Sequence, residues 1–480
     1  MKKFRHLYVI LILLLLSQQS EAVTKYAFLS GLLNARGIDW SSSQEAEFDD
    51  PGGFMLRTGY VTDDIDRLNS PVTRIEALRW CIQSLGLAFE AELLSDYPSG
   101  FSDEKTLSPF ERGCLVAATK MIPSLFDMTG TFSPKNQLTN QDYNALMSRV
   151  YQASANFSLD IIRNPLNGIR LYLHREGVPS GIPSWRVYAY GLNSDMANNI
   201  RNLLKSQSID SNLIGTGTNS GVRTEKLDDF NQTRRFTAFL NFRKIKYRLI
   251  PVLSNPKTQI VPRFWVMLTI DPAKWRFSPV AAYNGPNKLS PLSQIAEENL
   301  TGAVINAGFF AVQKAGKGYP IGAMKTRGRD FGQLYEGRAA LGWEDYGFPV
   351  FGIPYEGNYS VYEMSNVIQG GPMLLQNGIP ANSEEGFPAA FVSARHPRTA
   401  VGINTSGQWV FLIVDGRNGM HSSGATISEL TEILRSQRVI NAMNLDGGGS
   451  TEMVVNGKIY NLPSDGWERN ISYGLGAIAR

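Results

Sequence analysis

Cysteine and histidine are both scarce in this chain, which has two cysteines and four histidines among its 480 residues. Two cysteines exclude a disulfide-rich scaffold and a cysteine-based zinc site. Cys81 and Cys114 lie in segments with a helical pattern. Export would allow them to form a disulfide, and buried free thiols are the alternative.

The chain also lacks a strong charge of either sign. It has 47 basic and 43 acidic residues, a formal net charge of +4, and no basic tract. This balance argues against a nucleic-acid partner. Because 480 residues are too many for one compact core, we expect two to four domains.

Long apolar runs are missing except near the start, where Lys2, Lys3 and Arg5 precede an apolar stretch at 7–16. The small residues Ser20 and Ala22 then form a cleavage-site pattern. This layout predicts a signal peptide at 1–22 and a secreted protein of the periplasm or cell surface. An uncleaved anchor is the alternative. No cysteine follows the run, which argues against a lipoprotein anchor.

Residues 23–155 are predicted to be helical. Thr73 with Glu76 and Ser108 with Glu111 have the spacing of helix-capping pairs. The segment Thr73-Arg74-Ile75-Glu76-Ala77, with Phe101-Ser102-Asp103 and Gly130-Thr131-Phe132-Ser133-Pro134, resembles S-layer homology repeats. The resemblance implies that this region binds a cell-wall polymer. Asn140 stands where the second repeat should carry arginine, and a generic helical hairpin domain is the alternative.

Residues 160–250 predict a small α/β, βαβ-like domain. A strand is expected at 185–190, a helix at 195–204 and a strand at 236–242. The pattern resembles a sporulation-related, peptidoglycan-binding (SPOR) repeat, and a linker domain without a ligand is the alternative. Residues 256–480 predict a mixed α+β domain with strands at 264–270, 303–310, 410–414, 440–445 and 453–455. A capped helix is expected from Thr426.

Polar clusters follow the apolar runs of this last domain. They contain Asn306, then His396, Arg398 and Thr399, then Asp415, Arg417 and His421, and finally the segment from Asn444 through Asp446, Gly447, Gly448, Gly449 and Ser450 to Thr451. Arginine suits phosphate oxygens because its guanidinium is a planar fork of donors. Three successive glycines indicate either positive φ angles or a ligand lying against bare backbone.

Together these clusters resemble the phosphodiester glycosidase (uncovering-enzyme) family. The shared pattern consists of Asn306-Ala307-Gly308-Phe309-Phe310, Gly370-Gly371-Pro372-Met373-Leu374, Arg398-Thr399-Ala400, Asp415-Gly416-Arg417, Ser423-Gly424-Ala425-Thr426, residues 444–451 and Arg469. The resemblance implies hydrolysis of a bond of the N-acetylglucosamine-1-phosphodiester type, releasing free sugar and a phosphomonoester. The substrate would be a glycan or sugar-phosphate polymer, including exopolysaccharide.

Residue chemistry suggests the roles within this site. Asp446 and Asp415 are candidate base or nucleophile, and their roles can be exchanged. His396 and His421 are candidates for carrying a proton. Substrate and phosphate binding is assigned to Asn306, Gly371, Arg398, Thr399, Arg417, Asn444, Gly447, Gly448, Gly449, Ser450, Thr451 and Arg469.

Two other functions are consistent with the same residues. One is a non-catalytic reader of cell-wall polysaccharide, although such a binder would use aromatic platforms more than paired charges. The other is a metal-dependent phosphodiesterase, which the lack of ligands at metal spacing argues against. We therefore expect no cofactor, while a Ca²⁺ or Mg²⁺ held by carboxylates and carbonyls stays open.

Overall fold

The computed structural model forms two compact units. The first contains Met1–Phe157, Gly177–Ile182 and Pro256–Thr258, and the second contains Ser158–Glu176, Pro183–Asn255 and Gln259–Arg480. The structure describes residues 22–38, 50–63, 65–121, 130–155, 157–179, 184–215, 220–225, 227, 230–252, 261–313, 316–345, 348–355, 360–381 and 385–480. The predicted signal peptide lies outside these residues except for Ala22. No helix within them is long and apolar enough to cross a membrane.

The first unit is helical in its described part. Its helices are α1 (Lys25–Ala35), α2 (Pro51–Thr58), α3 (Arg74–Ser84), α4 (Ala88–Leu94), α5 (Pro109–Met121) and α6 (Asn140–Ala155). The predicted capping box at the start of α3 is confirmed, because Thr73 and Glu76 each accept a hydrogen bond from the other's backbone N–H. Cys81 and Cys114 are free and buried, so the buried-thiol alternative holds, and burial raises the pKa of both.

A carboxylate joins two parts of the repeat pattern in this unit. Asp103 accepts hydrogen bonds from the backbone N–H groups of Phe132 (2.9 Å) and Ser133 (2.8 Å). The rings of Phe101 and Phe132 meet edge to face with centroids 5.9 Å apart. The order of Phe-x-Asp before Gly-x-Phe-x-Pro therefore has a local structural cause.

The second unit contains most of the strands. Its first elements are β1 (Ser158–Leu166), β2 (Ile169–Glu176), β3 (Ser184–Leu192), α7 (Ser194–Ser206), β4 (Ser211–Ile214), β5 (Ser220–Thr224), α8 (Phe230–Phe242), β6 (Tyr247–Val252), β7 (Arg263–Ile270), β8 (Trp275–Val280), α9 (Leu292–Glu298), β9 (Ala303–Asn306), β10 (Phe310–Val312), β11 (Gly318–Pro320), β12 (Met324–Thr326) and β13 (Arg329–Asp330). They are followed by β14 (Ala340–Trp343), β15 (Val350–Gly352), β16 (Asn366–Gln369), β17 (Met373–Gln376), β18 (Ile379–Pro380), α10 (Ala389–Ser393), β19 (Arg398–Asn404), β20 (Trp409–Val414), α11 (Ile427–Ser436), β21 (Val439–Asn444), β22 (Met453–Val455), β23 (Lys458–Ile459) and β24 (Gly474–Ala479).

The largest sheet has eight antiparallel strands in the order β1-β2-β7-β20-β19-β21-β17-β18. The apolar residues of α11 pack on one face of it, with Leu430 and Leu434 against Leu412 and Ala442. Helix α11 begins with the predicted capping box between Thr426 and Glu429. The other main sheets have the orders β23-β22-β9-β24-β8 and β13-β12-β16-β14-β15. The mixed α/β character predicted for this region is confirmed.

The small four-stranded sheet has the order β4-β5-β3-β6 with antiparallel pairing throughout. Along the chain it forms two interleaved β-α-β units, with α7 and α8 packed on one face. The strand predicted at 236–242 is wrong, because this segment is the end of α8. Phe236 and Leu240 are four residues apart and bury together on one side of the helix.

Strand β2 and most of β1 lie in the range 160–250 that the sequence assigned to the small domain, yet they extend the eight-stranded sheet. Each residue of β2 is paired with a residue of β7. Burial alternates along β2, with Ile169, Leu171 and Leu173 on its buried face. The predicted division into four segments stays a prediction.

Candidate active site

The clusters predicted from the sequence lie together along one edge of the eight-stranded sheet, formed by the start of β19 and the ends of β20 and β21. The start of β19 pairs with the end of β20, since Arg398 lies opposite Val414. The end of β21 reaches the same edge, since Ala400 lies opposite Asn444. The end of β9 is connected to this edge by a hydrogen bond from the N–H of Asp446 to the carbonyl of Ala307 (2.9 Å).

Asn306, at the end of β9, holds the loop that carries Asp446. Its Nδ2 donates to the carbonyl of Asp446 (2.7 Å). Its Oδ1 accepts from the Thr399 hydroxyl (2.7 Å) and from the N–H of Glu452 (3.1 Å). The side chain is 1% exposed. These contacts give Asn306 and Thr399 a role in fixing the loop; their predicted role in binding substrate remains a prediction.

Asn444 anchors the other end of this loop. Its Nδ2 donates to the carbonyls of Gly371 (2.8 Å) and Leu445 (2.7 Å). Gly371 returns a hydrogen bond from its N–H to the carbonyl of Asn444 (2.7 Å). The backbone of Gly371 has φ of +121°, and a Cβ there would lie 2.5 Å from a carboxylate oxygen of Glu385. Glycine is therefore needed at this contact.

Asp446 is half-buried at the centre of the cluster. Its Oδ1 accepts a hydrogen bond from the N–H of Gly447 (2.8 Å). Burial raises the pKa of Asp446 to about 6, although the Ser450 hydroxyl, Arg469, the Gly447 N–H and Arg417 favour its charged form. A carboxyl group with this pKa changes its ionisation close to neutral pH, as a general base requires.

The three glycines after Asp446 are explained mostly by the protein itself. A Cβ on Gly447 would lie 2.7 Å from the carbonyl oxygen of Pro397, and one on Gly449 would lie 2.0 Å from Nη2 of Arg469. Gly448 has φ of +63°, and a Cβ there would lie 2.9 Å from Nη2 of Arg417. Because these glycines have no side chains, the loop leaves room for the side chains of Arg417 and Arg469 and for the carbonyl of Pro397. Glycine also allows the left-handed backbone conformation of residue 448.

Two guanidinium groups border Asp446 and its glycines. Arg469 donates from Nε (2.9 Å) and Nη2 (2.6 Å) to Oδ2 of Asp465, which is 3% exposed. Arg417 has no hydrogen bond or ion pair from its guanidinium within the described part of the chain. Burial lowers the pKa of Arg417, Asp465 opposes this effect, and neighbouring arginines reinforce it. Arg417 is therefore a cation available to an anion.

Asp415 and His421 form a buried pair below this edge. Oδ2 of Asp415 lies 2.8 Å from Nε2 of His421 and accepts from the N–H of Leu462 (2.8 Å). Its Oδ1 accepts from Nδ2 of Asn461 (3.0 Å), and the same Nδ2 donates to the carbonyl of Thr451 (3.0 Å). Asp415 thus ties the Asp-Gly-Arg turn to the segment that leads to Arg469.

Arg398 lies on the α11 side of β19, whereas Thr399 points to the Asn306 side. The guanidinium of Arg398 is buried, with Nε donating to the carbonyl of Ala425 (3.0 Å) and Nη2 donating to that of Ala394 (3.1 Å). Burial, reinforced by Arg417, lowers its pKa to about 10. His396 exchanges two backbone hydrogen bonds with Ala425. Burial and then the charges of Arg398 and Arg417 lower the pKa of His396.

Two buried residues of this region escaped the sequence analysis. The Tyr473 hydroxyl would lie 2.1 Å from a Cβ on Gly308, so the absent side chain of Gly308 makes room for it. Burial raises the pKa of Tyr473, and the charge of Asp446 adds to the effect. Glu452 is 2% exposed. Only its position directly after the predicted segment could have drawn attention to it.

The family model for phosphodiester glycosidase matches residues 299–478, so the C-terminal part of this chain is a hydrolase domain of the phosphodiester glycosidase type. A similar protein is mouse N-acetylglucosamine-1-phosphodiester alpha-N-acetylglucosaminidase, 41% identical over 88 residues, which are 18% of this chain and 17% of the mouse protein. The SPbeta prophage-derived protein YomE of Bacillus subtilis is 43% identical over 82 residues, 17% of this chain and 13% of that protein.

The chain thus spans about a sixth of the length of the curated relatives it matches. Among solved structures, the catalytic domain of the zebrafish enzyme with the same name as the mouse protein is 20% identical. The likeness covers 62% of this chain and 90% of that domain, with a TM-score of 0.39.

Proposed function

We propose that this protein hydrolyses a sugar-1-phosphodiester of the N-acetylglucosamine-1-phosphodiester type, releasing free sugar and a phosphomonoester. The observation that carries the proposal is Asp446, a half-buried carboxyl group with a pKa of about 6, beside the guanidinium groups of Arg417 and Arg469. In this proposal Asp446 is the base for water and Arg417 is the cation for phosphate. The family match over residues 299–478 supports the same reaction.

In the proposed reaction the bond from the anomeric carbon to the phosphate oxygen breaks. The phosphomonoester leaves with the bonding electron pair, and a water oxygen bonds to the anomeric carbon. Ionised Asp446 takes the proton from that water, or attacks the carbon first and is then released by water. Because a phosphate ester is a good leaving group, little help from a general acid is needed. Arg417 balances the negative charge of the phosphate. Arg469, which is paired with Asp465, adds further positive charge beside it.

Asp415 has a positioning role in this proposal. Its oxygens are engaged by His421, Asn461 and Leu462, so it holds the arginine-bearing segments in place. This favours Asp446 over Asp415 as the base or nucleophile. The proposal requires no cofactor, and within the described ranges no group of three or more His, Cys, Asp or Glu side chains could hold a metal ion.

The test is Asp446→Asn in the full chain, with the exposed Asp330→Asn as its matched control. We expect Asp446→Asn to lower kcat by at least about 100-fold on an N-acetylglucosamine-1-phosphodiester, with an unchanged circular dichroism spectrum. Asp330→Asn should retain wild-type turnover. Wild-type activity in Asp446→Asn would refute the assignment. Release of sugar-1-phosphate in place of free sugar would show P–O cleavage and refute the proposed reaction.

We further propose that the chain is an exported bacterial cell-envelope protein, with the signal peptide at 1–22 and S-layer-homology-like binding of wall polymer or peptidoglycan by residues 23–155. The support is the repeat pattern, together with the hydrogen bonds of Asp103 that join its parts. The full chain should sediment with purified cell-wall sacculi. Arg74→Ala should weaken this, whereas the control Arg67→Ala, at a side chain 84% exposed, should not. Equal sedimentation of both variants would contradict the proposal.

A further inference from the structure

The small sheet has a polar, aromatic face opposite its helices. Val187 and Ala189 of β3 pack against α7 and α8, so alternation along the strand places Arg186, Tyr188 and Tyr190 on the other face. Arg223 of β5 and Arg248 of β6 both lie directly across from Tyr188 and share this face. None of these residues falls within the family match at 299–478.

This face contacts the segment of the candidate active site that carries Arg469. Trp467 stacks on Tyr188 with ring centroids 4.2 Å apart and an interplanar angle of 23°. Nη1 of Arg223 lies 3.9 Å from Oδ1 of Asp465, the partner of Arg469. The polar face of the small sheet therefore lies beside the candidate active site and forms one of its walls.

The wall brings more positive charge than the local carboxylates balance. Arg186 and Arg223 join Arg417 and Arg469, and their charges help to lower the pKa of Arg417. On the wall itself the acidic groups are the buried Asp465 and the exposed Glu225, which lies 3.8 Å from Arg186.

Two polar atoms of the wall are also buried without a hydrogen bond. Nε of Arg186 has no hydrogen-bond partner among the described residues, and neither has Oδ1 of Asp465. Arg223 is half-buried, with a side chain 22% exposed. The guanidinium of Arg186 thus has donor capacity left over for a phosphate oxygen, whereas Oδ1 of Asp465 is an acceptor and cannot bind one. The five arginines of the site and the wall carry five positive charges, and one scissile phosphodiester with three carboxylates carries four negative charges, so one positive charge is left unneutralised; these arginines are Arg186, Arg223, Arg248, Arg417 and Arg469, and the carboxylates are Asp446, Asp465 and Glu225.

We propose that Arg186 and Arg223 form a second anion subsite, which selects substrates with further phosphodiester groups beyond the scissile one. The substrate class is then a sugar-1-phosphodiester whose aglycone carries further phosphodiester groups. Arg186 and Arg223 determine specificity and take no part in bond cleavage. The naming of the substrate rests on the proposed function, whereas the anion subsite does not.

The first test measures binding without any scissile bond. The probe is a sugar-free tetramer of glycerol phosphate, titrated into the full chain by calorimetry. We expect wild type to bind, with affinity falling as salt is raised, and Arg186→Ala/Arg223→Ala to bind at least ten-fold more weakly. The control Arg201→Ala, an exposed arginine on α7 away from the polar face, should stay within two-fold of wild type. No binding by wild type, or equal binding by the double variant, would overturn the proposal.

A second variant separates charge from folding. Arg186→Lys/Arg223→Lys keeps both charges but not the guanidinium donors, and should recover part of the binding lost in the alanine variant. If the lysine variant binds as weakly as the alanine variant while its thermal midpoint matches wild type, charge is not what the subsite provides, and the proposal fails. A polycarboxylate of equal length that binds as tightly as the glycerol phosphate tetramer would also overturn it.

The last test uses two substrates with the same scissile bond, one ending at a methyl phosphodiester and one extended by three glycerol phosphates. We expect wild type to have a KM at least ten-fold lower for the extended substrate, and the alanine variant to lose most of that ratio with a smaller change in kcat. Cleavage of neither substrate would refute the proposed function alone, since the sugar-free tetramer still tests the subsite. Equal KM values for both substrates in wild type would refute the subsite alone.

Discussion

The substitution Glu452→Gln tests the electrostatics below the candidate site. Glu452 is 2% exposed, and its Oε1 accepts no hydrogen bond from any described residue. Burial raises its pKa to about 9, and the adjacent Glu468 carboxylate adds to this by its charge and by accepting the proton. At neutral pH the folded protein therefore holds Glu452 as a neutral acid. Glutamine has the same shape and charge as that form.

The difference in stability between Glu452→Gln and wild type is expected to be largest at alkaline pH. Between the ordinary pKa of 4.5 and about 9, the unfolded chain releases this proton and the folded chain keeps it. The contribution of Glu452 to the free energy of unfolding therefore falls as pH rises, by about 1.4 kcal/mol for each pH unit. From pH 5 to pH 8 the loss reaches at most about 4 kcal/mol. Glutamine does not titrate, so residue 452 causes no such loss of stability in the variant.

The assay is the difference in thermal midpoint between Glu452→Gln and wild type, measured from pH 5 to pH 9 by differential scanning calorimetry. Taking about 2 °C per kcal/mol for a unit of this size, the difference should grow by up to roughly 8 °C between pH 5 and pH 8. The exposed Glu432→Gln should show no such growth. A difference between Glu452→Gln and wild type that does not change with pH would refute the reasoning.

Three more outcomes follow from the site. Because Asp446 must be ionised to act, kcat/KM should rise about ten-fold per pH unit up to its pKa of about 6 and then level off; a flat profile from pH 4.5 to 8 would contradict its role. Gly449→Ala places a Cβ 2.0 Å from Arg469 and 2.2 Å from Asp465, so we expect that ion pair to be displaced and KM to rise at least ten-fold, and an unchanged KM would count against Arg469. Asp415→Asn replaces one buried acceptor oxygen by an NH2 group that faces the donor it served, which should cost about 1–3 kcal/mol in denaturant unfolding, whereas unchanged stability would argue against its anchoring role.

Local signals predicted local structure well. The capping boxes at Thr73 and Thr426 and the apolar strand before Asp415 depend on neighbours within a few residues, and the structure confirms them. The strand predicted at 236–242 failed because Phe236 and Leu240, four residues apart, fit both strand alternation and one helical face. Packing against the small sheet decided between the two.

Neighbours in sequence proved a poor guide to which side chains work together. Arg398 and Thr399 are adjacent, but a strand sends them to opposite faces, one toward α11 and one toward Asn306. Asp415 and Arg417 share a turn, yet Asp415 is engaged by Asn461 and Leu462. The residues that could carry the site were present in the sequence, but their partners depended on contacts between segments far apart in the chain.

The sequence by itself determined the polar clusters at 306, 396–399, 415–417 and 444–451. It also determined their resemblance to a phosphodiester glycosidase, because the order and spacing of motifs along the chain do not depend on the fold. Tertiary structure alone decided that Asp446 is buried enough to have a pKa of about 6, and that Arg417 stays available while Arg469 pairs with Asp465. It alone brought the arginines of the small sheet to the same site. The physical reason is that burial and net local charge depend on every segment packed around a group, which no stretch of sequence specifies on its own.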